Sequence, residues 1–213
     1  ADDGGARELG DLAHRALLAV YRKLQAAGIS SYDQPAVRSF ATTAIAEVLA
    51  LAPATSVLQR VRRERLAEDL VDLVLDDHVN ALAEGRRFFD GEVPFGRGEG
   101  WPAFAVADGE LFVAGRLDRI DVTDAGTAMV IDYKSRAPAG ATTAAFFEQR
   151  HAGSVQIALY SRVVAAMLEP QPSRVTARFF GYRDGSCKTN VGMRSANDAV
   201  WREIGRASCR ERV

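Results

Sequence analysis

Apolar residues recur at helical spacing along the first part of the chain. In the first such stretch they are Leu9, Leu12, Ala13, Ala16, Leu17, Val20, Tyr21 and Leu24. Steps of three and four residues place these side chains on one face of a helix, so the pattern predicts an amphipathic helix that ends toward Gly28. Residues 35–84 predict two or three further helices, with breaks near Pro53 and at Gly85.

The periodicity becomes strand-like after the stretch DGEVPFGRGEGWP, whose glycines and prolines predict a loop. Three strands are predicted next, at 101–106 (WPAFAV), 110–122 (ELFVAGRLDRIDV) and 127–135 (TAMVIDYKS). Asp108-Gly109 is a favoured two-residue hairpin turn between the first two strands. Residues 124–126 form a three-residue loop between the second and third, with Gly126 in its left-handed last position.

A helix at 154–169 (SVQIALYSRVVAAMLE) follows, and Pro170 and Pro172 stop it before a strand at 174–182. A helix between two strands predicts a crossover that puts the last strand in the same sheet. The expected fold is α/β: a helix, a three-stranded antiparallel meander, a helix and a strand, with extra helices inserted after the first helix. We expect a single domain at 1–203, with a core at 8–28 and 100–183 and a helical insertion at about 30–90. The last ten residues, IGRASCRERV, resemble a translated sequencing adapter, so they are excluded from the fold prediction.

Charged residues interrupt the two strands joined by the 124–126 loop. With that loop, Asp118 lies directly opposite Asp132, with Cβ atoms about 4.5–5.5 Å apart, where like charges repel. A divalent cation would offset this repulsion, because Mg²⁺ prefers carboxylate oxygens. Lys134 shares the face of Asp132 because strand side chains alternate. Asp, Asp and Lys in this arrangement suit phosphodiester hydrolysis, although the same residues are also typical of the solvent face of a half-exposed sheet.

Other charged residues of these strands allow simpler interpretations. Asp121 and Asp124 are expected to be an exposed strand-end residue and an exposed turn residue. Arg116 and Arg119 suit either contacts to DNA phosphates or ion pairs with nearby acids.

Composition changes this picture little. The 213 residues are 47% hydrophobic and 26% charged with a net charge of −1, so bulk charge does not indicate a polyanionic partner and any nucleic-acid binding must be local. Neither a long apolar run nor a signal peptide is visible, which argues against membrane insertion or export. Two cysteines, Cys187 and Cys209, form no CxxC pair, which is typical of a reducing cytoplasm.

Four motifs together carry a resemblance to a known family. They are LGDLAHRAL, GRLDRID, VIDYKS and QIALY, and they span residues 9–160 in that order. The set resembles the RecB-like branch of the PD-(D/E)xK nuclease superfamily, whose pattern is a helical G-x-x-x-H, then G-x-x-D, D-x-K and Q-x-x-x-Y. The residues of these motifs are most similar to those of the nuclease domains of AddB-type subunits of helicase-nuclease complexes.

The resemblance implies a restriction-endonuclease-like core and a role for each matching residue. His14, Asp118 and Asp132 would be metal ligands, with Asp118 and Asp132 also catalytic, and Lys134 would be the catalytic lysine. Gln156 and Tyr160 would support the active site and DNA binding. The implied metal is Mg²⁺, with Mn²⁺ as an alternative because an imidazole is an unusual Mg²⁺ ligand.

The implied activity is that of a cytoplasmic Mg²⁺- or Mn²⁺-dependent deoxyribonuclease, with no membrane partner. It would process DNA ends, single-stranded or duplex, beside a helicase subunit during double-strand break repair and recombination. Tyr133 and Arg136 could then contact a DNA strand. The alternative is a catalytically silent RecB-like module that binds DNA ends or scaffolds a complex. Many relatives hold an iron–sulfur cluster with four cysteines; before residue 204 this chain offers Cys187, so the sequence does not decide between presence and absence of a cluster.

Overall fold

The computed structural model describes residues 3–28, 33–96, 98, 100–106, 111–135, 152–183 and 186–191. These contain four helices, α1 (Asp3–Ala27), α2 (Gln34–Ala50), α3 (Val57–Ala83) and α4 (Ala152–Met167). The strands are β1 (Arg86–Phe95), β2 (Phe104–Val106), β3 (Leu111–Val113), β4 (Gly115–Thr123), β5 (Thr127–Lys134), β6 (Arg174–Gly181) and β7 (Ser186–Val191).

The helices begin and end at the residues that local chemistry favours. The carboxylate of Asp33 accepts a hydrogen bond from the Ala36 backbone at the start of α2, and the Ser56 hydroxyl accepts one from Gln59 at the start of α3. Gly28 and Gly85 follow α1 and α3 with φ of 57° and 62°, a left-handed conformation that glycine adopts without strain. The predicted breaks between the helices are therefore confirmed.

The main sheet has five strands in the order β1-β4-β5-β6-β7. Strand β1 pairs with β4 and β4 with β5, both in antiparallel fashion. Strands β5 and β6 pair in parallel and are connected by the crossover helix α4. The predicted crossover is confirmed, and so is the α/β class with helices flanking a mixed sheet. The β4–β5 ladder, from Arg119 opposite Ile131 to Val122 opposite Ala128, has the predicted register, and Gly126 is left-handed at φ 71°.

The first strand of the meander differs from the prediction. The strand beside β4 is β1, which includes part of the stretch predicted as a loop; β1 accommodates Pro94 because it is an edge strand. The predicted strand 101–106 contributes only β2, which pairs with β3 in a separate two-stranded sheet. The predicted strand 110–122 is divided at Ala114 into β3 and β4. Strand β7 was not predicted, and the Asp108-Gly109 turn lies outside the described residues.

Two hydrophobic cores lie on opposite faces of the sheet. Helices α1, α2 and α3 pack on the face that carries Ile131 and Tyr133. Helix α4 packs on the other face against Ala128 and Val130. Alternation along β5 therefore assigns Asp132 and Lys134 to the α4 side, while Tyr133 faces α1. Among the described helices, none combines the length and apolar character needed to cross a lipid bilayer.

Candidate active site

Three acidic residues lie in a row across three neighbouring strands. The β4–β5 ladder ends at the Arg119–Ile131 pair, and the next residues, Asp118 and Asp132, are close enough for the charge of Asp118 to act on Asp132. On the other side of β4, Gly91 pairs with Arg119 and Val93 with Leu117, which places Glu92 beside Asp118. The strand order therefore brings one carboxylate each from β1, β4 and β5 to the same part of the sheet.

His14 of α1 joins two of these carboxylates. Its Nδ1 lies 3.4 Å from Glu92 Oε1 and 3.4 Å from Asp118 Oδ1. One ligand atom from each of His14, Glu92 and Asp118 lies within 4.8 Å of the other two, a grouping able to hold a metal ion. The structure thus brings His14 and Asp118 together, as the motifs implied, and adds Glu92, which sequence reasoning missed. Asp132 is outside this group of three.

Each of the two carboxylates beside His14 has one oxygen already held by the protein. Asp118 Oδ2 accepts a hydrogen bond of 2.8 Å from the backbone N–H of Tyr133. Glu92 Oε2 forms an ion pair of 2.7 Å with Arg116 Nε, whereas its Oε1 is buried without a hydrogen-bond donor. The remaining oxygens, Asp118 Oδ1 and Glu92 Oε1, are the ones nearest to His14.

The backbone of Glu92 is unusual. Its φ is 55°, and among the described residues it is the non-glycine residue with positive φ. A Cβ on Gly91 would lie 2.9 Å from Leu18 of α1, so Gly91 faces α1, whereas Val93 belongs to the α4 core. Regular alternation would put Gly91 and Val93 on one face, so the chain changes face at Glu92. A left-handed acidic residue at such a point is typical of a functional site. The hydrophobic pattern does not predict this change of face at Glu92. The available sequence signal is the acidic stretch Asp90-Gly91-Glu92, which precedes apolar residues.

Asp132 is almost completely buried, at 1% exposure, and neither carboxylate oxygen accepts a hydrogen bond. Lys134 Nζ lies 2.7 Å from Asp132 Oδ2, close enough for an ion pair but without hydrogen-bond geometry. Burial and the nearby Asp118 charge raise the pKa of Asp132 to about 6, even though Lys134 opposes the shift. Asp132 is therefore a buried carboxylate whose charge Lys134 only partly compensates.

Lys134 is held in place from α4. Its Nζ donates a hydrogen bond of 3.3 Å to Gln156 Oε1, and Gln156 Nε2 donates one of 3.1 Å to Tyr160 Oη. The Tyr160 ring packs edge-on against Phe95, with ring centres 6.0 Å apart. Because Gln156 and Tyr160 are one helical turn apart, they contact Lys134 as a single chain of hydrogen bonds.

His14 carries the charge that balances part of this acidity. Burial lowers the pKa of His14, but contacts with Asp118 and Glu92 outweigh it and raise the pKa to about 10. The imidazole also packs edge-on against the Tyr133 ring, with ring centres 5.7 Å apart. At neutral pH the metal-free site thus holds a cationic His14 between two carboxylates.

A buried ion-pair cluster lies behind the site, on the α1–α3 side of the sheet. It contains Asp77, Arg86, Arg119 and Asp121. Arg119 donates two hydrogen bonds of 2.6 Å to the Asp121 carboxylate and one of 2.8 Å to Asp77. The expectation that Asp121 is exposed was wrong, because β4 turns its side chain toward α3 rather than toward solvent. Asp124 is 98% exposed on its side chain, as predicted.

The remaining expectations concern the arginines and the tyrosine that the sequence offered as DNA contacts. Both Arg116 and Arg119 form ion pairs with acids, which agrees with the second of the two interpretations offered for them. Tyr133 is buried at 4% exposure, so its ring is not available for stacking on a base. Arg136 lies outside the described residues.

The residues present fit a divalent cation. Buried carboxylate oxygens without donors are expensive unless a cation satisfies them, and Asp132 and Glu92 supply three such atoms. Oxygen ligands with one imidazole suit Mg²⁺ or Mn²⁺, whose ligands at about 2.1 Å are about 3–4 Å from one another. The 3.4 Å separations around His14 agree with that spacing.

Comparison with known proteins agrees with the architecture. A search of curated proteins returned no significant match. The family model described as the PD-(D/E)XK nuclease superfamily matches residues 1–209, and the mixed sheet with flanking helices is consistent with the restriction-endonuclease-like core of that superfamily. With nearly the whole chain matched, and with its acidic residues and lysine gathered on adjacent strands, this chain belongs to the PD-(D/E)XK nuclease superfamily.

Proposed function

We propose that this chain is a Mg²⁺- or Mn²⁺-dependent deoxyribonuclease that hydrolyses phosphodiester bonds. The observation that carries the proposal is the meeting of His14, Glu92 and Asp118 within 4.8 Å, beside the buried carboxylate of Asp132 and the ammonium of Lys134. Membership of a nuclease superfamily supports the reaction class.

In this proposal His14, Glu92, Asp118 and Asp132 hold the cation. When bound, such a cation supplies Lewis acidity, which polarises a phosphate oxygen and favours ionisation of a water molecule. Tyr133 N–H and Arg116 keep one oxygen each of Asp118 and Glu92 fixed, so the other oxygens need little reorganisation to act as ligands.

Lys134 is the catalytic cation of the proposal. Its side chain is 36% exposed, so the ammonium can reach a substrate phosphate while its stem stays packed. There it would orient the attacking water and stabilise the negative charge that develops on the phosphate. Gln156, fixed by Tyr160, would limit the movement of Lys134 Nζ and so keep it aimed at the reacting atoms.

The motif resemblance supports four further parts of the proposal. They are DNA as the substrate, a helicase partner, a role in double-strand break repair and a cytoplasmic location. The alternative of a catalytically silent module is less well supported, because a module without catalysis gains nothing from a buried carboxylate that lacks hydrogen-bond donors.

The test compares two Asp→Asn variants of the same hairpin. Asp132→Asn removes the buried carboxylate, whereas Asp124→Asn makes the same chemical change in the exposed turn. Degradation of plasmid and of single-stranded circular DNA is measured with Mg²⁺, with Mn²⁺ and with EDTA. We expect wild type and Asp124→Asn to be active with either metal, EDTA to abolish activity, and Asp132→Asn and Lys134→Ala to lose about a hundredfold or more.

Activity that persists in EDTA, or an Asp132→Asn variant as active as Asp124→Asn, would contradict the proposed mechanism. Activity on neither DNA in any metal, from folded wild-type protein, would contradict the proposed function itself.

A further inference from the structure

A groove lies next to the proposed active site, on the α1–α3 side of the sheet. It has a volume of about 240 Å³ and shares His14, Tyr133 and Lys134 with the site. Its walls are stripes of residues one helical turn apart on α1 and α3, and its end is formed by residues that follow β5 and β6. The remaining lining residues are Ala6, Leu9, Gly10, Arg62, Arg65, Leu66, Asp69, Ser135, Tyr182 and Arg183.

The lining of this groove is strongly basic compared with the chain as a whole. Three of its lining residues are arginines, Arg62, Arg65 and Arg183, and one, Asp69, is acidic, whereas the Lys134 ammonium turns toward Gln156 on the α4 side. The whole chain has 27 Lys and Arg residues against 28 Asp and Glu residues. Positive charge is therefore concentrated at the groove, as expected of a surface that binds a polyanion locally.

Local structure fixes these cations at the groove. Arg62 and Arg65 are three residues apart on α3, so they lie on the same helix face. Backbone hydrogen bonds from Tyr182 N to Lys134 O (3.1 Å) and from Arg183 N to Ser135 O (3.0 Å) hold Arg183 beside the end of β5. The charges thus line a path that begins at the end of β5.

Arg65 is available to a ligand although it has acidic neighbours. It contacts Glu68 at 3.4 Å and Asp69 at 3.1 Å, and its side chain is 69% exposed. The Arg65–Glu68 pair is exposed on both sides and contributes little free energy, so a phosphate can replace Glu68 at small cost, whereas the Asp69 carboxylate is 11% exposed and stays beside Arg65. Arg183 is exposed as well.

The groove is too small for a duplex. Its volume of about 240 Å³ is below the ~300–1,000 Å³ typical of small-molecule sites, so it admits only a segment of one strand. Its aromatic residues, Tyr133 and Tyr182, are buried at 4% exposure and offer no ring face for stacking on bases. What the groove presents is charge, which recognises a sugar-phosphate backbone independently of sequence.

We infer that this groove binds the backbone of a single DNA strand next to the scissile phosphate, with Arg65 and Arg183 as phosphate-binding residues. The inference rests on the proposed function and adds to it a substrate path. It also gives the helical segment between α1 and β1 a role, because α3 supplies half of the basic wall.

The test measures binding separately from cleavage. Affinity for a fluorescent single-stranded oligothymidylate is measured in EDTA over a range of NaCl concentrations, for wild type and for Arg65→Gln, Arg183→Gln and the double variant. Arg60→Gln is the matched control, since Arg60 is an exposed arginine of α3 that does not line the groove. Arg65→Lys keeps the charge at Arg65, and thermal melting confirms that each variant is folded.

For each groove substitution we expect weaker binding. The slope of the logarithm of the binding constant against the logarithm of the NaCl concentration should be less steep by about 0.7. Arg60→Gln and Arg65→Lys should stay close to wild type. In cleavage assays with Mg²⁺ the groove variants should show a raised KM with kcat within about twofold of wild type, because they change binding of a substrate region away from the reacting atoms. A duplex of the same length should lose less affinity than the single strand.

A salt dependence and KM equal to those of Arg60→Gln would overturn the inference, as would equal losses for duplex and single strand. Failure of the groove inference and failure of the proposed function give different results. If cleavage depends on Asp132 while the groove variants behave as wild type, the groove inference alone fails. If no variant or wild type cleaves DNA while the groove variants lose single-strand affinity, the nuclease proposal alone fails.

Discussion

Glu92 combines two features that are unfavourable in a folded chain. Its backbone is left-handed at φ 55°, which costs about 1–3 kcal/mol for a residue with a side chain. Its Oε1 atom is buried without a hydrogen-bond donor, 3.4 Å from His14. In the metal-free chain this backbone strain opposes the ion pairs that Glu92 makes with His14 and Arg116.

Replacing Glu92 should therefore separate stability from metal binding. Glu92→Gly relieves the backbone strain but loses the ion pairs with His14 and Arg116, so we expect the metal-free protein to gain about 1–2 kcal/mol of unfolding free energy over Glu92→Gln, which loses the charge of the same pairs and keeps the strain. Glu92→Gly should also lose most of the rise in melting temperature that Mn²⁺ gives the wild type, because a ligand that binds only the folded state stabilises it.

Glu92→Gln is the control for this pair of effects. It keeps the left-handed backbone and removes only the charge, so it should lose the metal-dependent rise without the gain in EDTA. A Glu92→Gly variant that melts in EDTA no higher than Glu92→Gln would contradict the assignment of strain to this residue.

At the scale of elements, two glycines show how closely the helices and strands approach the site. A Cβ built on Gly10 in the middle of α1 has Tyr182 Oη as its nearest neighbour at 3.9 Å, an ordinary contact. A Cβ built on Gly91 of β1 would lie 2.9 Å from Asp118 O of β4 and 2.9 Å from Leu18 of α1. Gly91 therefore permits the contact among three elements that places Asp118 and Glu92, whereas Gly10 does not have that role.

We expect opposite results from the same substitution at these two positions. Gly10→Ala should raise the unfolding free energy by about 0.5–1 kcal/mol, because alanine is the better helix former and has room. Gly91→Ala should lower it by about 1–3 kcal/mol, because β4 or α1 must shift to admit the methyl group. Urea denaturation measures both changes in unfolding free energy. A Gly91→Ala variant as stable as the wild type would show that β1, β4 and α1 can shift apart more easily than their spacing indicates.

At the scale of the whole molecule, the buried ion-pair cluster joins the helical layer to the sheet. Asp77 belongs to α3, Arg86 to β1, and Arg119 and Asp121 to β4. Tyr21 of α1 donates a hydrogen bond of 2.7 Å to Asp77, and its ring lies 3.7 Å below the Arg119 guanidinium. Two arginines and two aspartates balance in charge, so protonation of Asp77 leaves a buried arginine charge without its partner.

Stability should consequently fall in acid in a way that depends on Asp77. Burial raises the pKa of Asp77, but the charges of Arg119 and Arg86 outweigh burial and lower it from 3.8 to about 2. Because the folded-state pKa is below the unfolded one, the stabilisation is complete above about pH 4 and is lost as pH falls toward 2. Asp77→Asn should lose about 3–5 kcal/mol at neutral pH and have a flatter stability profile between pH 4 and 2.

Urea denaturation at a series of pH values measures this effect, with Asp124→Asn as a control because that carboxylate is fully exposed in a turn. An Asp77→Asn variant with the wild-type acid profile would mean that other carboxylates carry the acid sensitivity.

Short-range features of the fold were predictable from the sequence by itself. The boundaries of α1, α2 and α3 follow from apolar spacing and from capping residues such as Ser56 and Gly85, which act on their own neighbours. The β4–β5 register follows from one turn at 124–126, because a hairpin loop fixes every pair that follows it. That register brings Asp118 and Asp132 to the same end of the ladder, and their direct pairing stays a prediction.

Contacts between elements distant in the sequence were decided only by the tertiary structure. Strand β1 was missed because Gly91 and Pro94 resemble loop residues, and pairing with β4 stabilises the strand despite them. Glu92 reaches His14 only through that pairing and through a left-handed turn of the backbone. Asp121 is buried rather than exposed because α3 packs over it and brings Asp77 to its arginine partners. Local spacing determines where a side chain lies on its own element, whereas packing determines which distant charges it meets.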